Sequence, residues 1–197
     1  MAWISVVVEG IHDQVVASRL CHLTQHEISA SYITQGKARL DQRLSGYNAA
    51  AARTAWFVLR DLDQDASCAP ELKAGLLDSI AEKMCLRIPV RSLEAWLMAD
   101  RERLASYMAV PLATIPRDVE DIVHPKQTLV NIARRSRRRV ILEEMVPRSG
   151  TTSVIGTGYS AHLIEFSQSH WNPEIAAQNC PSLAKCIESL KSLHQNI

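Results

Sequence analysis

The first ninety residues alternate between short apolar runs and longer segments in which apolar residues recur at helical spacing. Residues 3–8 and 55–60 are apolar runs without alternation, which predicts short strands buried on both faces. Residues 28–33 alternate and predict a further strand. Residues 85–90, interrupted by Pro89, predict an edge strand, because proline cannot donate a ladder hydrogen bond.

Helices are predicted between these strands, over residues 12–25, 37–53 and 70–83. The repetition of strand, helix and strand predicts an α/β fold with a mostly parallel sheet covered by helices. In such sheets the residues that carry the chemistry lie at the carboxyl ends of the strands.

Beyond residue 90 the pattern becomes helical. Helices are predicted over residues 91–100, 125–135, 160–169 and 181–194, and a loop rich in glycine, serine and threonine over residues 149–158. We therefore expect residues 1–100 to form an α/β core, and residues 101–197 to form a mainly helical elaboration packed on the same domain.

Composition and charge exclude few classes of function. The chain has 197 residues, 47% of them hydrophobic, and a formal net charge of +1, so a basic surface must be local. The N-terminal segment reaches an acid too early for a signal peptide, and no run approaches the roughly 18 apolar residues of a membrane span. We expect a soluble, cytoplasmic protein with no membrane partner and leave its oligomeric state open. The five scattered cysteines favour neither a disulfide framework nor a zinc site.

Three acidic side chains follow predicted strands at the point where each strand ends. Glu9 follows the first run, and Asp61 and Asp63 follow the run over residues 55–60. Because the carboxyl ends of neighbouring parallel strands share one edge, these carboxylates are expected to form an oxygen-only site that suits Mg²⁺ or Mn²⁺. Such an ion assists attack on a phosphodiester by activating water and neutralising charge on the phosphoryl group. The competing interpretation is structural, because aspartate also favours turns and helix N-caps.

Two further acids have other expected roles. Asp65 is expected to be a helix cap, or an acid outside the direct ligand set. Asp13 is either a first-turn helix residue, which the helix dipole favours, or a partner of a metal ligand, and we prefer the helix role.

Glu9-Gly10 after the first strand, with Asp61-Leu62-Asp63 after the third, resembles the Toprim domain. That domain occurs in type IA and type II topoisomerases, bacterial primases, ribosomal-RNA maturases and nucleases of the overcoming-lysogenization-defect class. The resemblance covers residues 3–90 and implies a compact α/β sheet, Mg²⁺ bound by the acids and phosphodiester chemistry on nucleic acid. It also implies that Glu9 is a metal ligand or general acid/base, and that Asp61 and Asp63 are metal ligands.

A second resemblance extends over nearly the whole chain. Gly36-Lys37, residues 91–100, His124-Pro125-Lys126 and residues 156–159 are similar to segments of small stand-alone Toprim-like bacterial proteins, some of them linked to phage defence. This resemblance indicates relatives rather than a reaction. Tyr159, in the last of these segments, is expected either to contact substrate or to pack.

Glu94, Lys37 and Lys126 are further candidates for the same catalytic site. Glu94 follows the fourth strand and is expected to join as a fourth carboxylate, or else to be an ordinary helix glutamate that faces solvent or pairs with Arg91. Lys37 follows the second strand, where it is expected to bind a phosphate or to remain a solvated helix lysine. Lys126 is expected to stabilise transition-state charge, with His124 as a proton shuttle, unless the motif is only a loop-to-helix junction.

The densest basic run is expected to bind a nucleic-acid backbone, because guanidinium groups suit phosphate oxygens. It consists of Arg134, Arg135, Arg137, Arg138 and Arg139. The alternative is a helix whose arginines pair with acids such as Glu143 and Glu144. No aromatic residues interleave the run, so base stacking is not expected there.

These features favour a Mg²⁺- or Mn²⁺-dependent nuclease that hydrolyses phosphodiester bonds of DNA or RNA, with a role in phage defence. The alternative is a non-catalytic Toprim-like interaction subunit that works with a partner ATPase, since the chain has no Walker motif of its own. An aspartate-nucleophile phosphatase is disfavoured, because such enzymes usually carry Asp-x-Asp on the first strand. Topoisomerase activity is not expected, because a lone domain of this kind would lack a strand-passage gate and an obvious tyrosine nucleophile module.

Overall fold

The computed structural model describes residues 2–195. The strands are β1 (Ala2–Val8), β2 (His26–Ile33), β3 (Ala55–Leu59) and β4 (Met84–Arg87). The α-helices are α1 (Ile11–Leu23), α2 (Lys37–Ala50), α3 (Ala69–Leu76), α4 (Leu93–Met98), α5 (Arg101–Met108), α6 (Pro125–Ala133), α7 (Arg139–Met145), α8 (Tyr159–Ser169), α9 (Pro173–Ala177) and α10 (Pro181–Gln195). Two 3₁₀ turns, Leu112–Thr114 and Val119–Asp121, lie between α5 and α6. Within the described residues, no helix is both long and apolar enough to cross a membrane.

The four strands form one sheet in the order β2-β1-β3-β4, and every neighbouring pair is parallel. One row across the sheet shows the register: Tyr32 pairs with Val7, Val7 with Val58, and Val58 with Leu86. The predicted α/β class, with its parallel sheet covered by helices and a helical C-terminal half, is confirmed. β4 lies at an edge, as Pro89 indicated, and its strand geometry ends before that proline.

Contacts divide the chain into two compact units. The first contains the residues up to Val90 together with the C-terminal segment from Ser182, so α10 belongs with the sheet. The second runs from Arg91 to Pro181 and is helical. The division therefore falls at Val90, ten residues before the boundary expected from the sequence, and the last helix returns to the first unit.

Alternation along the strands sends side chains to two buried faces of the sheet. On one face, Val58 and Leu86 share a core with Leu40 and Leu44 of α2 and with Leu72 of α3. These side chains explain why α2 and α3 cover that face, since burying them removes apolar surface from water.

The opposite face is lined by residues of the other parity, including Cys85. The buried thiols of Cys21 in α1 and Cys186 in α10 lie near it. Burial raises the pKa of Cys21 and of Cys85 to about 12, so both are neutral thiols that pack as small apolar groups. α1 and α10 thus cover the second face.

Hydrogen bonds join the loops that follow the strands. The amide of Thr34 donates to the carbonyl of Val8 (2.9 Å), and the amide of Gly36 donates to the carbonyl of Glu9 (3.1 Å). Gly36 has φ +114, which favours glycine and lets the chain turn directly into α2. Backbone hydrogen bonds alone therefore hold together the loops that follow β1 and β2.

The predicted helix over residues 70–83 is wrong in its second half. α3 ends at Leu76, and the segment that follows is an irregular loop. The side chain of Asn48 holds this loop, since its amide nitrogen donates to the carbonyl of Ser79 (2.9 Å) and its oxygen accepts from the amide of Ala81 (2.9 Å). A tertiary contact from α2 thus competes successfully with local helix propensity.

A polar network around the buried side chains of Tyr107 and His162 links α5, α7 and α8 in the second unit. The hydroxyl of Tyr107 donates to Glu165 Oε2 (2.9 Å) and lies 2.8 Å from His162 Nδ1. The other ring nitrogen of His162, Nε2, lies 2.9 Å from Glu144 Oε2. Burial is the main reason that the pKa of Tyr107 is raised, so this tyrosine is a neutral hydrogen-bonding group.

The predicted loop over residues 149–158 is confirmed, and its glycines have a steric cause. The amide of Gly156 donates to the carbonyl of Met145 (3.0 Å), which brings the two backbones into contact. A Cβ at Gly156 would stand 2.2 Å from the carbonyl oxygen of Glu144, closer than any side chain allows. Only glycine permits this approach of the loop to the end of α7.

Candidate functional site

Glu9 and Asp61, far apart in the sequence, meet at the carboxyl edge of the sheet. Glu9 directly follows β1, and Asp61 comes two residues after the end of β3, the strand beside it. The amide of Asp61 donates to Glu9 Oε1 (3.0 Å). The convergence that parallel-sheet geometry predicts is therefore present, although the direct contact is between a carboxylate and a backbone amide.

The carboxyl group of Glu9 is partly buried, and this burial raises its pKa above the ordinary value. The hydrogen bond from the Asp61 amide and the positive charge of Arg60 act in the opposite direction. The negative charges of Asp13 and Asp63 raise the pKa further. Burial thus outweighs the groups that stabilise the carboxylate, and it favours a proton on Glu9 or a cation beside it.

Lys37, the first residue of α2, reaches across this edge to two aspartates. Its Nζ lies 2.9 Å from Asp63 Oδ2 and 2.7 Å from Asp65 Oδ2. Burial is the largest single influence on Lys37 and lowers its pKa, but the hydrogen bonds to Asp65 and Asp63 together leave the pKa raised. Lys37 is therefore a charged ammonium group among carboxylates rather than a solvated helix lysine.

Asp63 and Asp65 occupy a tight turn after β3. Asp63 has φ +50, a left-handed conformation that aspartate tolerates better than most residues. Asp65 is not a helix cap, since α3 begins four residues later and its N-cap is Cys68. The hydrogen bond from Lys37 is the largest cause of the lowered pKa of Asp65, and Arg60 adds to it.

Arg60 is the residue of this edge that sequence reasoning missed. Only 2% of it is exposed, and its guanidinium group donates to both carboxylate oxygens of Asp41 (3.2 and 3.0 Å). It also lies 2.7 Å from Asp65 Oδ2 and donates to the carbonyl of Asp61. A sequence signal was available, because an arginine that ends a wholly apolar strand beside three aspartates must find partners on folding.

Asp13 takes the helix role, and it also orients a histidine. Its Oδ2 accepts the amide of Gly10 (2.8 Å), which caps the first turn of α1. Its Oδ1 lies 3.1 Å from Nδ1 of His12, and the buried Nε2 of His12 meets no hydrogen-bond partner among the described residues. Sequence reasoning did not single out His12.

The donor atoms of this edge are of the type that binds a hard divalent cation, but few side chains could coordinate one ion together. The nearby ligand atoms are carboxylate oxygens, which Mg²⁺ and Mn²⁺ prefer. As the side chains stand in residues 2–195, no group of three or more His, Cys, Asp or Glu is arranged to hold a metal ion. Mg²⁺ commonly binds to one or two carboxylates and completes its shell with water and substrate phosphate, so Glu9 and Asp61 are the residues that could hold such an ion.

Glu94 belongs to the second unit, where it is a buried residue of α4 rather than a solvent-facing one. Only 1% of Glu94 is exposed. Its carboxylate accepts hydrogen bonds from the hydroxyl of Ser92 (2.6 Å) and, at 3.4 Å, from that of Tyr159. Tyr159 is itself buried, and its first role is to pack and to satisfy Glu94. The expected fourth carboxylate stays a prediction.

Lys126 and His124 flank the start of α6 in the second unit. His124 is the N-cap residue, and Pro125 occupies the first helical position, where its missing N–H costs little. Both His124 and Lys126 are exposed. This geometry is that of a loop-to-helix junction, and the catalytic role expected for Lys126 stays a prediction.

The arginine run forms the turn between α6 and α7 and the start of α7. Arg138 donates to the carbonyl of Tyr107 (2.9 Å) and stacks over its ring at 5.4 Å, and Arg139 pairs with Glu143 (2.6 Å). The remaining members are exposed and form no ion pair with any described residue. They are Arg134, Arg135 and Arg137. The run thus divides into two arginines with local partners and three that remain accessible.

Comparison of the chain with family models, curated proteins and solved structures returned no match.

Proposed function

We propose that the carboxyl edge of the sheet is the active site of a Mg²⁺- or Mn²⁺-dependent nuclease. The observation that carries this proposal is the contact between Glu9 and the Asp61 amide, which brings two carboxylate-bearing loops together beside an ammonium group. A parallel sheet places ligand sites at this edge, and an oxygen-only donor set suits the ions that serve phosphodiester hydrolysis.

Glu9 and Asp61 would hold the cation, with Asp63 as the next carboxylate along the loop. The ion, when bound, supplies an activated water and neutralises charge on the phosphoryl group. Arg60 holds the loop after β3 in place through its contacts with the Asp61 carbonyl and the Asp65 carboxylate. Lys37 contributes a positive charge at the same edge, where it can exchange Asp63 for a substrate phosphate oxygen.

The accessible arginines of the second unit support a nucleic-acid substrate. Arg134, Arg135 and Arg137 are exposed within four positions of one turn. In a chain with a net charge of +1, such clustering concentrates positive potential where a phosphate backbone would bind. The contact is sequence-independent, because backbone phosphates carry no base identity.

The direct test is cleavage of labelled single- and double-stranded DNA and RNA with Mg²⁺, Mn²⁺ or EDTA. We expect cleavage of at least one substrate with a divalent cation and none with EDTA. Cleavage that persists in EDTA would contradict the proposal, and so would the absence of cleavage under every metal condition.

A second candidate function is a non-catalytic interaction subunit that acts with a partner ATPase. The observation that favours it is the pairing of Asp63 and Asp65 with Lys37 and Arg60, which neutralises part of the acidic edge within the chain itself. In that case the protein cleaves nothing with any metal and instead forms a stable, stoichiometric complex with the ATPase. Mixing the two purified proteins and measuring the mass of the complex separates the two functions.

Replacing Lys37 with methionine is expected to separate cation binding from cleavage. The variant should bind Mn²⁺ about two- to five-fold more tightly, because an exposed ion pair of about 0.2–1 kcal/mol no longer competes for Asp63. Cleavage should nevertheless fall about ten-fold or more, since the phosphate loses its positive partner. Electron paramagnetic resonance of free Mn²⁺ measures the first effect and the nuclease assay the second.

Arg39→Met is the matched control for Lys37. Arg39 lies two residues further along α2, is exposed and bonds only to the Gln35 side chain (2.7 Å) among the contacts of the described chain. The Arg39→Met variant should bind Mn²⁺ and cleave the substrate as the unmodified protein does. Unchanged or weaker Mn²⁺ binding in Lys37→Met would show that Lys37 does not compete with the cation.

A further inference from the structure

A cavity lies along the free edge of β4 in the first unit. Its volume is about 420 Å³, within the range of small-molecule sites. α3 contributes Lys73 to the lining and α10 contributes Ser189, while β4 supplies the wall between them. Since β4 pairs only with β3 among the strands of residues 2–195, no described strand covers this side of β4.

Two cations line this cavity. They are Lys73 and Arg87, both only partly exposed. Burial, and then the nearby charge of Arg87, lower the pKa of Lys73. In the part of the chain that the structure describes, neither side chain forms an ion pair. Folding therefore brings two positive groups together out of full solvent, at an energetic cost that an anion between them would offset.

The guanidinium group of Arg87 is held in place by Ser189. Its Nη1 donates to the Ser189 hydroxyl at 3.1 Å, which links β4 to a residue of α10 that is distant in sequence. This bond fixes one nitrogen of the guanidinium group, and Arg87 lines the cavity. A fixed guanidinium beside an ammonium is suited to a phosphate group, because the first binds in two positions and the second acts as a point charge.

The cavity also contains two acids, and these narrow the class of ligand. Glu82 and Glu188 belong to its lining, but no ion pair joins them to Lys73 or Arg87 within residues 2–195. Two carboxylates would repel the continuous negative charge of a nucleic-acid backbone. They would accept hydrogen bonds from the amino or hydroxyl groups of a smaller molecule.

We propose that this cavity binds a small phosphate monoester that also carries hydroxyl or amino groups, of the size of a nucleoside monophosphate. Lys73 and Arg87 hold the phosphate, and Glu82 and Glu188 accept hydrogen bonds from the remainder. The site is separate from the acidic edge, since the lining includes Ile80 and Glu82 in the loop before β4 and none of the carboxylates that follow β1 and β3. It goes beyond the proposed nuclease and does not depend on it.

Calorimetric titration of the full chain in EDTA tests the site without any contribution from a divalent cation. The probes are adenosine monophosphate, inorganic phosphate, adenosine and a 5′-phosphorylated oligonucleotide. We expect adenosine monophosphate to bind, inorganic phosphate to bind more weakly and adenosine not to bind. Equal or tighter binding of the oligonucleotide would overturn the assignment to a small molecule, and absence of binding by both phosphate probes would overturn the site.

Variants and resonance shifts locate the binding. Arg87→Gln and Lys73→Gln should each weaken the binding of adenosine monophosphate at least ten-fold. Lys83→Gln, just before β4 and outside the lining, should leave this affinity unchanged. In the unmodified protein, the ligand should shift the amide resonances of residues 84–87 and 188–193. Shifts confined to other segments, or equal affinity in Arg87→Gln, would refute the proposal, and the resonance experiment holds even if a variant fails to fold. Because all measurements are made without a divalent cation, failure of the nuclease proposal leaves this result unaffected.

Discussion

Asp61→Asn should reduce metal-dependent cleavage at least 100-fold while leaving thermal unfolding almost unchanged. The substitution removes one negative charge from the proposed cation site, and the loss of a group that stabilises transition-state charge commonly costs about 10²–10³ in rate. The bond from the Asp61 amide to Glu9 is a backbone interaction, so it survives the change of side chain. Cleavage rates at saturating Mg²⁺, with circular dichroism during heating, measure both effects.

Asp78→Asn is the matched control for this prediction. Asp78 is an exposed acid in the loop after α3, and it loses the same charge in the same unit. It should retain full activity. If Asp61→Asn were as active as Asp78→Asn, the carboxylate after β3 would have no part in catalysis, and the observed cleavage would belong to another site or to a contaminant.

Arg60→Met should lower the free energy of unfolding by about 2 kcal/mol. Breaking a fully buried ion pair commonly costs about 3–5 kcal/mol, and here the cost is reduced because Asp41 and Asp65 keep partial contact with water. The variant leaves both carboxylates without their guanidinium partner and removes the bond to the Asp61 carbonyl. Urea denaturation at pH 7 measures the difference from the unmodified protein.

The effect of Arg60→Met should shrink in acid. The lowered pKa of Asp65, caused by Lys37 first and Arg60 next, means that the ionised form is favoured in the folded state. That stabilisation is complete above the ordinary aspartate pKa of about 3.9 and is lost as the pH falls through the lowered value. The two unfolding curves should therefore approach each other below about pH 4.

Two further variants delimit the cause of this loss of stability. Arg43→Met, on the exposed side of α2, should cost less than about 0.5 kcal/mol. Adding Asp41→Asn to Arg60→Met should cost less than the sum of the two single changes, since the charge that Arg60 leaves unpaired is then absent. Strict additivity would show that Arg60 stabilises the loop by packing alone.

Much of the sheet and of its acidic edge could be predicted, because both follow from local pattern. The apolar runs that form β1 and β3 are short and continuous, which is typical of buried parallel strands. Parallel pairing of these strands then brings Glu9 near Asp61. The Gly36 turn likewise predicted the start of α2 and the position of Lys37.

The remaining features depend on contacts between distant segments, which no local pattern encodes. Asn48 holds the loop that follows α3, and α10 returns to the sheet with Cys186 near Cys85. The partners of Lys37 could not be predicted either. A lysine can pair with a phosphate or with an aspartate, and the turn at Asp63 is what brings Asp63 and Asp65 within reach of it. Arg60 did have a local signal, its place between a wholly apolar strand and three aspartates, but which groups enclose it depends on the fold.

Glu9 is bonded at both ends, since its carbonyl accepts the Gly36 amide and its carboxylate accepts the Asp61 amide. One residue therefore couples the fluctuations of three loops, so that none can move far without disturbing the other two. Much of the entropy that a flexible site would lose on capturing a ligand is then already lost during folding. A molecule that engages any one of these loops finds the other two largely preorganised.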